Sequence, residues 1–211
     1  MDASRSAGVT AMQGMTFADD MAELIAAACR AGATEVRQIS PGDIVVEPQM
    51  AEYCRQPGCP NYGQSPSCPP HVAGPEAFRA LASRSRLALI VRIEVPSVVL
   101  FSDERREVMR LLHEVVAGIE RAAAGLGYSA AKAFAGGSCK DLFCSDHAEC
   151  QVLSGSGSCR NPESARPSMS GFGVNVAKTL EAAGFGGTGK NGPAVRGEAG
   201  TSWVAGLVLI S

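Results

Sequence analysis

Cysteine is the residue type whose spacing carries chemical information in this chain. Cys54, Cys59 and Cys68 follow C-x4-C-x8-C inside "CRQPGCPNYGQSPSCPPHV". Cys139, Cys144, Cys150 and Cys159 follow C-x4-C-x5-C-x8-C. Both sets open with the same C-x4-C step and lie among Gly, Pro and Ser. Such residues let a backbone turn around a bulky ligand and aim its amides at it. Thiols in this pattern can form disulfides, hold zinc, or cradle an iron–sulfur cluster.

The compartment and the spacing order these readings. The N-terminus, "MDASRSAGVTAMQGMTFADD", has acids where a signal peptide would be apolar. No stretch approaches the roughly 20 apolar residues of a transmembrane helix, so the chain reads as soluble and cytoplasmic. In that reducing compartment disulfides are the minority reading for eight cysteines. Structural zinc favours close pairs with about two to four residues between partners, and the x5 and x8 steps are wide for it. Iron–sulfur clusters take an all-thiolate set from a wrapping loop, often with proline directly after a ligand. Cys59-Pro60 and Cys68-Pro69-Pro70 show that pairing. The cluster reading is preferred, with zinc and disulfide behind it.

Ligand count separates the two loops. The second region has four cysteines, enough to close a four-iron cube, whereas the first has three. An iron without a thiolate is open to water, substrate or another side chain, as catalytic metal sites keep an open position. His71, Asn61 and Tyr62 are local candidates to close it, and Cys29 a remote one. Cys29 lies in the apolar run "IAAAC", where packing as a small hydrophobe is the plainer reading. His71 suits a helix cap as well as a ligand. His113, inside a long helix pattern, reads as structural. His147, between Cys144 and Cys150, tunes a cluster from outside or is simply solvated.

His71 and three cations near these loops are candidates to bind a substrate, the cations an anionic one. Arg160 and Arg166 flank the last cysteine and precede a helix pattern, a ready anion site. They equally suit turn capping, or offsetting the negative charge of a thiolate-bound cluster. "GFGGTGKN" fits the phosphate-loop pattern G-x4-G-K only on its face: a helix pattern precedes it, and Asn191 stands where Ser or Thr should bind magnesium. It reads as a loop or lid from which Lys190 reaches an anion. Asp103, Glu104, Glu107 and Glu114 read as the solvated face of a helix.

The elements that must position these residues alternate along the chain. Residues 1–15 are polar, small and aperiodic and are expected to be disordered, leaving one domain over 16–211. Thr16 and Asp19 cap the helix "MAELIAAACRAG", stopped by Gly32. "TEVRQI" and "DIVVEP" read as short strands, and "PEAFRALASRS" as a helix with proline at its first position. "RLALIVRIEV" and "WVAGLVLI" read as strands and "YSAAKAFAGG" as a weaker one. Ser102 is placed as the cap of "DERREVMRLLHEVVAGIERAAAGL" and Ser170 as that of "GFGVNVAKTLEAAG". The class is therefore α/β or α+β: a mixed sheet flanked by helices, with both cysteine sets on connecting loops. Hydrophobic residues at 45% allow a sizeable core without covalent staples. A net charge of −2 and 5% aromatics argue against nucleic acid as a partner.

"CPNYGQSPSCPP", "AFAGGSC", "CRNPESARPSMSGFGVNV" and the closing "WVAGLVLI" occur in this order. Together they resemble the predicted metal-binding protein family, a domain-of-unknown-function family of bacteria and archaea. The resemblance runs from about residue 30 to the end of the chain. It implies metal binding through these cysteines as iron–sulfur clusters.

The expectation is a protein with two 4Fe-4S clusters. Cys139, Cys144, Cys150 and Cys159 hold one for electron transfer, and Cys54, Cys59 and Cys68 hold another with an open iron for a small-molecule ligand or substrate. The chemistry is redox or lyase-type, and the partner is a small molecule or a redox protein. A pure electron carrier with both clusters fully ligated, or a zinc-stabilised interaction module, are the alternatives.

Overall fold

Two ten-residue strands of β-branched and aliphatic residues pair along their whole length and form the middle of the sheet. A computed structural model describes residues 16–185 and 200–211. Residues 1–15, and Lys190 with most of its glycine-rich loop, lie outside the described residues. In chain order the elements are α1 (Phe17–Arg30), β1 (Glu35–Ile39), α2 (Gln49–Glu52), α3 (Gly74–Ala82), β2 (Leu87–Pro96) and α4 (Ser97–Leu100). Then come α5 (Arg105–Gly125), β3 (Lys132–Phe134), α6 (Cys139–Phe143), α7 (Val176–Ala182) and β4 (Thr201–Ile210).

The sheet runs β1-β2-β4-β3, every pair antiparallel. The class is α+β. β2 and β3 run in the same direction and are joined through α5, as in a crossover unit, but β4 lies between them and pairs antiparallel with both. Among the described residues parallel pairing, expected within a mixed sheet, is confined to the isolated bridge between Ala135 and Ser168.

Strand alternation splits the core into two layers. Leu89, Val91, Ile93, Val208 and Ile210 face Met21 and Leu24 of α1 and Leu112, Val115, Val116 and Ile119 of α5. Ala88, Ile90, Leu207 and Leu209 face the other way, against Phe78 of α3, Leu180 of α7, Phe134 and Phe172. α5 lies so close on the sheet that a Cβ at Gly206 would meet Val116 Cγ1 at 2.6 Å. None of the helices described is long and apolar enough to cross a membrane.

Several local expectations hold. Thr16 and Asp19 form a reciprocal capping box, with Asp19 N donating to Thr16 Oγ1 at 3.2 Å and Thr16 N to Asp19 Oδ2 at 3.0 Å. Others are corrected. "DIVVEP" makes no strand, only a bridge from Val46 to Val174, because Pro41 starts a 3-10 turn and Pro48 closes the segment. Helix α3 starts at Gly74, so Pro75 is its second residue. Ser102 does not cap α5: its hydroxyl accepts from Glu104 N at 3.3 Å, in the turn after α4. Ser170 opens a 3-10 turn that ends at Gly173 (φ 80°). Asn175 caps α7 instead, accepting from Lys178 N at 3.1 Å.

Candidate metal centre

The first cysteine set lies on a segment with little regular structure, which follows α2 instead of a strand. Cys54 opens a wide turn in which Cys59 N donates to the Cys54 carbonyl at 2.9 Å. Further on, Gly63 N donates to the Pro69 carbonyl at 2.8 Å, so the loop returns on itself and brings Cys68 back towards Cys59. Cys54, Cys59 and Cys68 line one cavity of about 400 Å³. Its far wall comes from the start of α5 (Arg105, Arg106, Met109) and from α6 with its approach (Ser138, Asp141, Leu142). Burial pushes the Cys54 thiol up, and neighbouring charge on Cys59 and Cys68 adds to it.

The second set is carried by α6 and the loop after it. A glycine pair brings the chain from β3 into α6: Gly137 has φ 77°, and a Cβ there would meet Met109 Cε of α5 at 2.9 Å. Cys139 is the first residue of α6 and is buried, and Cys144 follows its last turn. Lys140 Nζ donates to the carbonyls of Cys144 (3.0 Å) and His147 (2.6 Å), drawing the loop back over the helix. Cys139, Cys144, Cys150 and Cys159 line a second cavity of about 220 Å³, with Asn161, Arg160 and Ser67. Asn161 Nδ2 donates to Cys144 Sγ at 3.3 Å and Asn161 N to Cys159 Sγ at 3.4 Å. Such N–H donors stabilise charge on sulfur.

The two cavities adjoin: Cys68 and Ser138 line the first, and their chain neighbours Ser67 and Cys139 the second. Burial raises the Cys139 thiol, hydroxyls of Ser67 and Ser65 from the first loop lower it, and charge on Cys68 and Cys159 raises it again. Cys139 therefore lies within electrostatic reach of cysteines of both sets. A strap holds this junction together: Ser168 N donates to the Ser67 carbonyl at 2.9 Å, and Met169 N to Ala135 at 2.9 Å. Among the described residues, no three His, Cys, Asp or Glu side chains converge as a site for a single metal ion.

The other sequence candidates disperse. Asn61 and Tyr62 line the first cavity. His71 does not; its exposed ring donates from Nε2 to the Gly63 carbonyl at 3.3 Å. Cys29 is exposed on α1 and lines neither cavity. Arg160 lines the second cavity and donates to the Glu149 carbonyl at 3.3 Å. Arg166 lines neither: Nε pairs with Glu120 at 2.5 Å, and Nη1 donates to the Pro162 and Ala165 carbonyls at 2.9 and 2.8 Å. His113 is buried in α5 and bonds backbone on both sides of the second cysteine region. Lys190 lies outside the described residues.

Sequence reading passed over Arg105, Arg106, Ser138, Asp141 and Asn161. One signal was available for the arginines. Cations in the first turn oppose the helix dipole at about 0.3–1 kcal/mol each, so "RR" opening α5 calls for a reason other than helix stability.

A family described as predicted metal-binding protein (DUF2284) matches this chain over residues 37–210. No curated protein and no solved structure matches it.

Proposed function

The chain belongs to the family of predicted metal-binding proteins (DUF2284), and from that premise we propose that it is a cytoplasmic protein holding two 4Fe-4S clusters. Cys139, Cys144, Cys150 and Cys159 hold one for electron transfer. Cys54, Cys59 and Cys68 hold the other, leaving one iron open to a small-molecule substrate in redox or lyase-type chemistry. The observation that carries this reading is the partition of thiols: each spacing set lines its own cavity, and the two meet at Cys68 and Cys139.

The donor set fits the group. All seven residues are soft sulfur donors, and each cavity has room for more than one ion. When bound, such cubes supply one-electron transfer and, at an iron without a thiolate, a Lewis-acid position. The protein's own residues do the rest. Asn161 holds two sulfurs of the second set through its N–H groups, and burial at Cys139 and Cys68 keeps water from where the two cavities adjoin. The first cavity stays open towards Arg105, Arg106 and Asp141.

Anaerobic reconstitution followed by metal and sulfide analysis tests the reading. The expected result is a brown protein with about eight iron and eight sulfide per chain, as two cubes require. A colourless protein that returns zinc overturns it. The pure carrier is a second reading, favoured by Asn61, Tyr62 and Asp141, whose side chains line the first cavity and can occupy the fourth position. Cyanide added to the reduced protein separates the two: a changed paramagnetic signal at one cluster supports the open iron, and an unchanged one supports the carrier.

A further inference from the structure

We propose that the first cavity carries a binding site for a small organic monocarboxylate, formed by Arg105, Arg106 and Ser138. This assignment rests on the reading of that cavity as a centre open to a small ligand. Arg105 and Arg106 are the first two residues of α5, a helix of 21 residues, and both line the cavity, so its wall carries two cations at the positive end of the helix dipole. Arg106 Nη2 donates to the Asp141 carbonyl at 2.8 Å, which fixes the side chain and leaves its other N–H groups free. Among the described residues Arg105 has no side-chain partner, while Arg110 and Arg121 of the same helix pair with Glu107 and Glu163.

Ser138 is the independent observation. It occupies the cap position of α6, where a serine hydroxyl ordinarily accepts from the helix backbone, yet it caps nothing. It is 4% exposed, its Oγ has no hydrogen-bond partner, and it lines the same cavity as the arginines. A buried hydroxyl without a partner is rare and points to a ligand group that completes it.

Charge and lining narrow the ligand class. Besides the three cysteines, the charged side chains on the wall are Arg105, Arg106 and the Asp141 carboxylate. Set against that carboxylate and the cysteine thiolates, two cations leave little positive charge to spare, which favours a single negative charge over a multiply charged phosphate. Guanidinium forks match a carboxylate in geometry. Met109, Leu142, Pro60 and Pro69 offer apolar surface for the carbon part of the ligand.

Calorimetric titration of the reconstituted protein with acetate, lactate, butyrate and inorganic phosphate tests the site, with iron and sulfide measured on the same sample. At least one carboxylate should bind, and more tightly than phosphate. Arg105→Gln should weaken it about tenfold and Ser138→Ala about fivefold, in the range of one charge-assisted hydrogen bond, with iron content unchanged. A full cluster complement with no carboxylate binding, tighter phosphate binding, or variants that bind like the wild type overturns the site and leaves the clusters standing. A colourless protein that still binds a carboxylate through Arg105 supports the site and overturns the cluster reading alone.

Discussion

The backbone N–H of Arg166 donates to Nδ1 of His113 at 3.1 Å, at a fully buried imidazole. With Nδ1 accepting, the proton sits on Nε2, which donates to the Gly136 carbonyl at 2.9 Å. One α5 side chain thus joins the backbone that enters the second cysteine region to the backbone that leaves it. The ring is neutral in that role, because a protonated Nδ1 has no lone pair for Arg166.

The pH dependence of stability follows from this bond. Burial, the largest cause, lowers the pKa of His113 from 6.5 to about 4. A depressed histidine leaves stability intact above the unfolded value and lets the unfolded state take up the proton as pH falls. The urea midpoint should hold steady above pH ~6.5 and decline towards pH ~4, with a loss on the order of 3 kcal/mol. His113→Gln, which keeps an acceptor and a donor but does not titrate, should flatten that window. A wild-type midpoint unchanged from pH ~7 to pH ~4.5 would rule this role out.

Separate cavities predict separable metal content. Cys59→Ser changes a residue of the first set and Cys150→Ser one of the second, and neither is deeply buried. Each should lower iron to about half of the wild-type value, with the far-UV circular dichroism unchanged. Complete loss of iron in both variants would mean that the seven thiols hold one shared group.

How much of this was legible depends on how local the determinant is. The two cysteine sets are each close in sequence, so their spacing already implied the partition into three and four that the cavities display. β2 and β4 declared themselves because apolar runs suit a sheet covered on both faces. Ser138 and Arg105 did not, because what distinguishes them is a contact between segments remote in sequence. A serine before a helix reads as a cap, and only the folded chain shows that its hydroxyl caps nothing. The insertion of β4 between β2 and β3 is likewise a long-range choice, with no signature in any one strand.

Asn161 should tune the second group if that group is a cluster. Its two N–H groups donate to Cys144 and Cys159, and such bonds favour the more negative, reduced state. Asn161→Leu removes the side-chain donor and should shift one reduction potential negative by tens of millivolts, the scale of one net hydrogen bond. The potential of the other group should stay in place. Protein-film voltammetry reads both, and a shift of equal size in both would argue against an assignment of Asn161 to one group.

Glu120 and Arg166 form the buried ion pair beneath the second cysteine region, 15% and 9% exposed at their side chains. Glu120 Oε2 meets Arg166 Nε at 2.5 Å, and its Oε1 accepts from Ala133 N at 2.7 Å. Glu120→Leu therefore strands a buried cation and a strand N–H together. Breaking one side of such a pair costs about 3–5 kcal/mol, or roughly 10 °C in a chain of this size. Arg166 also holds the Pro162 and Ala165 carbonyls just after Cys159, so iron of the second group should be lost faster to a chelator in this variant. Replacing both partners, Glu120→Leu with Arg166→Met, should recover part of the melting temperature, because no unpaired charge remains. It should not recover the slow chelation, since the carbonyl contacts are gone. A Glu120→Leu protein melting within about 1 °C of the wild type would show that the pair carries no weight in the fold.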